Sequence, residues 1–257
     1  MGPFQGPLSV ALTVAGSDSG GGAGVQADLS TFAAMGVWGT CAITAITAQN
    51  PGEVVAIHAL PATVVRAQIE AVCSFFQVGA VKTGMLWSGE LIEAVADELT
   101  RLVPGVSLVV DPLMVATSGA RLLRDDAGRA LVERLIPAAR LVTPNLWEAA
   151  ILAEVEQISS PAEMEAAART ITERYGTPSL VKGGHLSGAP VDVLWDGTDL
   201  HRLVGSRIEG PTHGTGCRLS AAIAAGLARG MSLVDAVISG KEHVARVLLS
   251  KAVPRST

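Results

Sequence analysis

The sequence predicts one doubly wound α/β domain with a mostly parallel central sheet, and three observations lead to this prediction. Apolar runs of strand length alternate with segments of helical spacing, which is the pattern of right-handed βαβ units. Ala, Val, Leu and Gly dominate a chain that is 49% hydrophobic and 17% charged, as expected for strands buried on both faces. The length of 257 residues suits one large domain. We expect that domain to span 8–252, between flexible tails at 1–7 and 253–257.

Each element is predicted from its local pattern. Strands are expected at 8–16, 38–50, 53–60, 80–86, 107–114, 140–145 and 179–185, where apolar runs lack helical spacing. Helices are expected at 25–36, 61–76, 89–103, 125–139, 146–154, 161–176, 216–230 and about 233–252. Gly36 is expected to cap the first helix at its C-terminus, and Pro61 to lie in the first turn of the second. A hairpin over 189–205 is expected to turn at Asp196-Gly197.

The overall composition argues against several classes of protein. The net charge of −5, without a Lys/Arg run, argues against a nucleic-acid surface. Three cysteines without a CxxC pair or zinc-type spacing fit a reducing cytoplasm better than a disulfide framework. No apolar run reaches the roughly 18 residues of a membrane helix, and the first residues do not form a secretion signal. We therefore expect a soluble cytoplasmic protein that binds neither membrane nor nucleic acid.

Polar and Gly-rich residues follow most of the expected strands. They occur in GSDSGGGAG, TAQN, KTGML, DPLM, TPN, KGGH and GTGC. Ligands of such sheets bind outside the carboxyl ends of the strands. Folding requirements alone hardly explain so many polar strand ends, so we predict that this edge of the sheet is the functional site.

Cys217 is unusual because it stands in GTGC, where glycines precede an Ala-rich helix. Backbone N–H groups and the helix dipole favour an anion at such a position, so we expect a lowered pKa for the Cys217 thiol. The alternative is a small apolar residue that closes a core helix.

The first Gly-rich segment, AGSDSGGGAGVQAD, matches neither a Walker A loop nor a GxGxxG fingerprint. Its glycines could let the backbone approach a flat ligand, or could simply form a tight strand-to-helix turn. Asp28 is expected in the first turn of the next helix, as an acceptor for a substrate group or as a purely structural carboxylate.

Two further motifs carry groups suited to a phosphorylated ligand. Asn145 and Glu148 in TPNLWE share one face and supply donors that Mg²⁺ prefers, although the same pair could form a capping box. Lys182 in LVKGGH is costly to bury unpaired and would meet a phosphate at the strand end. Lys82 is similar, but a structural carboxylate is an equal alternative partner, and His185 is expected only to cap its loop.

In this order and spacing, ALTVAGSDSGGGAGVQADLSTFAAMGVWGTCAITAITAQN, KTGML, VVDPLM, LVTPNLWEA, KGGH and THGTGC resemble one family over about residues 8–250. It is the family of hydroxymethylpyrimidine and phosphomethylpyrimidine kinases of thiamine biosynthesis. The resemblance implies a single ribokinase-like three-layer α/β/α domain that uses ATP and Mg²⁺. It also implies a homodimer, and phosphorylation of 4-amino-5-hydroxymethyl-2-methylpyrimidine and of its monophosphate.

The resemblance also implies roles for particular residues. Those expected around the aminopyrimidine are Ala23, Asp28, Gln49, Met85 and Leu113. Gly214, Thr215 and Gly216 would form the anion hole, and Cys217 would accept the substrate hydroxyl proton. Asn145 and Glu148 would hold magnesium, with Lys182 and Asn145 near the nucleotide.

The sequence departs from the family pattern at three places. Arg218 stands where the family usually has Thr, Thr117 where a lysine is common, and the usual Gly/Pro/His tail is absent after Lys251. Three alternatives remain: a pyridoxal kinase, a non-catalytic ligand sensor on the same fold, and, more weakly, a dinucleotide oxidoreductase without its glycine fingerprint.

Overall fold

The computed structural model describes residues 8–114, 122–124, 126–184, 186, 189–208 and 213–250, and all its strands belong to one sheet. In chain order these strands are β1 Val10–Asp18, β2 Trp38–Asn50, β3 Glu53–Ala59, β4 Val78–Thr83, β5 Ser107–Val110, β6 Leu141–Val142, β7 Ser179–Lys182, β8 Val191–Trp195 and β9 Leu200–Val204. The sheet order is β3-β2-β1-β4-β5-β6-β7-β8-β9. The six central strands of this order, from β2 through β1 to β7, run parallel to one another. At the two edges, β3 pairs with β2, β8 with β7 and β9 with β8, all in antiparallel fashion.

The helices form a layer on each face of the sheet. They are α1 Gly24–Ala34, α2 Ala62–Cys73, α3 Gly89–Leu102, α4 Ala127–Ala130, α5 Leu146–Ala153, α6 Pro161–Tyr175, α7 Thr215–Ala228 and α8 Leu233–Ser250. Helices α2 to α6 bury their apolar side chains in one core, and α1, α7 and α8 bury theirs in a second core on the opposite face. The predicted three-layer α/β/α arrangement with a mostly parallel sheet is confirmed.

The strand order reverses at β1, because β2 lies on one side of it and β4 on the other. Such a reversal opens a crevice at the carboxyl ends of the strands, where the following loops diverge to opposite faces. The Gly-rich segment that follows β1 therefore lies in this crevice.

Several predicted elements are shorter or less regular in the structure. Strands β4 and β5 end at Thr83 and Val110, so Met85 and Leu113 belong to the loops beyond them. The helix predicted over 125–139 consists of α4, a π-helical turn at Leu131–Leu135 and a 3₁₀ turn at Ile136–Ala138. Pro137 explains the last change, because proline donates no backbone hydrogen bond and clashes with a preceding α-helical turn.

Some predictions concern residues outside the described ranges. They include the tails 1–7 and 253–257, and also Thr117, His185 and Lys251. Among the described helices, none is both long and apolar enough to cross a membrane.

Candidate active site

A cavity of about 830 Å³ opens at the carboxyl ends of the parallel strands. All but one of the site residues predicted from sequence line it. These lining residues are Ala23, Gln49, Met85, Leu113, Asn145, Glu148, Lys182, Gly214, Thr215, Gly216 and Cys217. The exception is Asp28, which is buried below the cavity. The crevice of the sheet therefore gathers motifs that are far apart in sequence.

The Asp18 carboxylate shapes the Gly-rich loop that connects β1 to α1. It accepts hydrogen bonds from the backbone N–H groups of Gly20 (2.8 Å), Gly22 (3.1 Å) and Ala23 (2.8 Å). These bonds fold the loop back over the end of β1 and place Ala23 at the cavity. Sequence reasoning missed Asp18, although an aspartate before several glycines is a recognisable loop-forming pattern.

The N-terminus of α7 forms the opposite wall of the cavity. Gly214 caps this helix with a φ of +77°, and a Cβ at that position would overlap the carbonyl oxygen of Gly22. The first N–H groups of an α-helix lack i−4 partners, and Thr215, Gly216 and Cys217 line the cavity, so this helix terminus is a candidate anion site. Glycine is therefore required at this position both by the backbone conformation and by the approach of the Gly-rich loop.

His213 joins these two walls. Its Nε2 atom lies 3.0 Å from the Asp18 carboxylate, and its ring packs so closely on Gly22 that a Cβ there would overlap it. No role was predicted for His213 from sequence, because this contact joins residues that are 195 positions apart.

Cys217 lies in the first turn of α7, lines the cavity and is 4% exposed. Burial raises the pKa of the Cys217 thiol above its ordinary value, although the nearby Lys82 ammonium opposes the shift. The expectation of a lowered pKa is therefore wrong for the ligand-free protein. A thiolate loses its hydration at this depth, and this cost exceeds the stabilisation from Lys82 and from the backbone hydrogen bond with Gly24.

This result predicts how Cys217 responds to pH. Because its pKa lies above the ordinary 9.0, the thiolate fraction at pH 7 is smaller than that of a free thiol. In a Cys41→Ser/Cys73→Ser background, we expect the iodoacetamide alkylation rate of Cys217 to keep rising beyond pH 9. A midpoint near pH 7 would contradict this assignment.

Asp28 and Lys82 form a fully buried ion pair, in which Lys82 lines the cavity and Asp28 lies behind it. The Lys82 ammonium lies 2.7 Å from Asp28 Oδ2, and both side chains are 0% exposed. Thr13 donates a second hydrogen bond to the same oxygen at 2.6 Å, whereas Asp28 Oδ1 has no partner among the described residues. Burial raises the pKa of the Asp28 carboxyl in spite of the lysine.

The structure does not place Asp28 where a substrate could contact it directly. It is the fifth residue of α1 and so lies just past the first turn, in which it was predicted. The Asp28 side chain points toward β4, where it accepts a hydrogen bond from Lys82. Asp28 is therefore the structural carboxylate that was considered as an alternative partner for Lys82.

Asn145 and Glu148 form a complete capping box at the start of α5. Asn145 Oδ1 accepts from the Glu148 N–H at 2.9 Å, and Glu148 Oε2 accepts from the Asn145 N–H at 2.8 Å. Glu148 Oε1 also accepts from the backbone N–H of Met114 at 3.2 Å. The structural alternative for this motif is thus present, and both residues also line the cavity.

Lys182 reaches the cavity from the end of β7 and pairs with Asp111, which follows β5. Its ammonium lies 3.0 Å from Asp111 Oδ1 and stays 15% exposed, whereas Asp111 is fully buried. Ser220 of α7 donates to the other Asp111 oxygen at 3.2 Å. A Cβ on Gly216 would lie 3.4 Å from the Lys182 ammonium, so this charge lies against the anion site of α7.

The apolar part of the cavity lies near the ends of β2 and β4. Met85, Leu113 and Leu122 line it, and the last of these was not singled out from sequence. Gln49 also lines the cavity, and its backbone N–H donates to the Ser19 hydroxyl oxygen at 2.8 Å. One cavity thus combines an apolar pocket with a polar rim and a positively polarised helix end.

The sequence matches one family of kinases over most of its length. The family model described as phosphomethylpyrimidine kinase matches residues 18–255. The chain belongs to this family.

Curated relatives agree with the family match. The hydroxymethylpyrimidine/phosphomethylpyrimidine kinase of Rhizobium meliloti is 52% identical over 238 residues, which cover 92% of this chain and 89% of the relative. A thiamine biosynthesis bifunctional protein of Geobacter sulfurreducens is 47% identical over 94% of this chain, which spans only 49% of that relative's length.

Solved structures of related kinases share the fold. Phosphomethylpyrimidine kinase from Clostridium difficile 630 superposes with a TM-score of 0.82 at 38% identity and covers 93% of this chain and 99% of its own. Pyridoxal kinase from Staphylococcus aureus in complex with pyridoxal has a TM-score of 0.87 at 34% identity, covering 95% and 89%. The predicted family and its ribokinase-like fold are therefore confirmed.

Proposed function

We propose that this phosphomethylpyrimidine kinase family member transfers the γ-phosphoryl group of ATP to hydroxymethylpyrimidine and then to its monophosphate. The observation that carries the proposal is that a single cavity is lined both by the apolar side chains of Met85 and Leu113 and by the first turn of α7, which includes Cys217. The names of the curated relatives support both substrates, and the neighbouring Staphylococcus aureus pyridoxal kinase in complex with AMP-PCP and pyridoxal supports the use of ATP.

The proposed binding mode assigns each ligand to one wall. The aminopyrimidine ring would pack on Met85 and Leu113, with the Gln49 side-chain amide on its polar edge. Gln49 suits this role because an amide can both donate to and accept from a pyrimidine. The N–H groups after Gly214 would donate hydrogen bonds to the oxygens of the transferring phosphoryl group and so form its anion site, with the Lys182 charge beside them.

In the proposed transfer, the substrate hydroxyl oxygen forms a bond to the γ-phosphorus, and the bond from this phosphorus to the β,γ-bridging oxygen breaks. ADP leaves with the electron pair of that bond, and Cys217 takes the hydroxyl proton once its own proton has been lost. Because the transition state of phosphoryl transfer is loose, positioning and charge stabilisation by the α7 terminus contribute more than this base.

Glu148, Asn145 and Asp111 are chemically suited to hold Mg²⁺ through water and nucleotide phosphates. Their oxygens retain lone pairs beside the hydrogen bonds described above, and Mg²⁺ in kinases is usually held by one or two carboxylates plus phosphates. Burial raises the pKa of Glu148, and the Lys182 charge opposes that shift. When bound, the ion would neutralise charge on the phosphates.

The test is phosphate transfer from Mg-ATP to hydroxymethylpyrimidine, its monophosphate and pyridoxal, with products separated by chromatography. Conversion of both pyrimidines is expected. Pyridoxal turnover alone would favour the second candidate, a pyridoxal kinase, which the solved pyridoxal kinases of the same fold suggest. Ligand-induced thermal stabilisation without ATP consumption would instead favour a non-catalytic sensor.

Substitution of Cys217 tests the base in this proposal. We expect Cys217→Ala to lower kcat by about 100-fold, the lower end of a general-base contribution, because the loose transition state demands little proton transfer. Cys73→Ala is the matched control, since this half-buried cysteine at the end of α2 does not line the cavity. Nearly full turnover by Cys217→Ala would remove the base role.

A further inference from the structure

Arg218 is a buried cation. It lies in the first turns of α7, directly after Cys217, and is only 6% exposed. Within the described ranges, no carboxylate lies within ion-pair distance of it. A buried guanidinium is costly, and a cation near the positive end of a helix dipole is more costly still, so stability alone does not account for it.

The neighbouring titratable groups do not offset this charge. His243 of α8, which is also 6% exposed, is close enough for Arg218 to influence it. Burial, together with the charges of Arg246 and Arg218, lowers the pKa of His243. His243 and Arg246 therefore contribute no negative charge to offset Arg218.

The Arg218 side chain forms a hydrogen bond with the Gly-rich loop. Its Nη2 atom donates to the carbonyl oxygen of Gly22 at 3.4 Å. Gly22 is also the residue against which Gly214 and His213 pack, since a Cβ on Gly214 would overlap the same carbonyl oxygen. Arg218 thus holds the Gly22 carbonyl against the N-terminus of α7.

This contact joins the two walls of the cavity. Gly22 precedes Ala23 on the proposed pyrimidine side, and Gly214 begins the anion site on the other side. We propose that Arg218 is a positioning residue that couples the Gly-rich loop to the anion site, so that pyrimidine and nucleotide each strengthen the binding of the other. The coupling rests on the proposed function, whereas the loop contact does not.

The coupling is measured by titrating AMP-PCP into the protein, with and without saturating hydroxymethylpyrimidine, by calorimetry. We expect the pyrimidine to tighten AMP-PCP binding by at least about 5-fold in the original protein, and by less than about 2-fold in Arg218→Ala. Arg218→Lys, which keeps a charged donor, should restore part of the coupling. Full coupling in Arg218→Ala would overturn the proposal.

Arg229 offers a matched control at the other end of α7. It also donates from a guanidinium to a backbone carbonyl of the α1 region, that of Met35, at 3.3 Å, but far from the cavity. Arg229→Ala should keep the coupling of the original protein. Its loss in both variants would mean that general helix packing, and not Arg218, carries the effect.

Hydrogen exchange of the ligand-free protein tests the loop contact separately. In Arg218→Ala, we expect amides in a peptide covering residues 17–26 to exchange several-fold faster, while those of the central strands stay unchanged. Unchanged exchange in that peptide would overturn the positioning role even if the protein proved not to bind pyrimidines. A failure to bind pyrimidine with this exchange difference intact would refute the proposed substrate and leave the contact standing.

Discussion

Gly214→Ala is expected to lower kcat for phosphoryl transfer by about 100-fold or more, the effect of losing donors to a developing anion. A methyl group at this position would overlap the Gly22 carbonyl oxygen, and the φ of +77° disfavours any L-residue. The N-terminus of α7 and the Gly-rich loop would have to separate. The anion site would then lose its alignment with the pyrimidine pocket. Steady-state kinetics with Mg-ATP and hydroxymethylpyrimidine measure the effect.

Gly230→Ala separates this effect from backbone strain. Gly230 follows α7 at its other end with a φ of +83°, and a Cβ there would meet nothing within 4 Å. We expect it to cost roughly 1 kcal/mol of stability, the usual penalty of the left-handed region, with kcat unchanged. Equal losses of kcat in both variants would show that the close approach to Gly22 is not the cause.

Lys82→Met is expected to destabilise the protein by about 3–5 kcal/mol, because it leaves the Asp28 carboxylate buried without a compensating charge. Asp28 is 0% exposed, and its Oδ1 atom has no partner among the described residues. Chemical denaturation measures the loss. Arg174→Met, which breaks the exposed pair between Arg174 and Glu154, is the control and should change stability little.

The pH dependence of Lys82→Met gives a second signature. Burial raises the pKa of Asp28, so its stabilising contribution is present at low pH and is lost as pH rises through the folded-state value. Removal of the lysine raises this pKa further, so the defect should be smaller at pH 5.5 than at pH 8. Asp28→Asn in the same background should recover part of the stability. A defect independent of pH, with no recovery, would indicate a packing defect instead of an uncompensated carboxylate.

The layered α/β fold and the edge of the sheet at which the cavity opens could be predicted from the sequence alone. Alternating apolar runs and helical spacings are local properties, and the carboxyl ends of parallel strands must meet at one edge of their sheet. Residues such as Lys182, Gln49 and Gly214 could therefore be assigned to one cavity before any contact was known. The capping box of Asn145 and Glu148 could also be predicted from sequence, since it forms within four residues.

The electrostatics of that cavity depend on contacts between distant parts of the chain, which the sequence does not show. Asp28 turned out to be a buried partner of Lys82, 54 residues away, and the Asp18–His213 contact joins positions 195 apart. The Cys217 thiol has a raised pKa because burial outweighs the opposing charge of Lys82. Local patterns report which face of an element is apolar, whereas the sign of a pKa shift depends on the depth of burial and on charges brought in from distant strands.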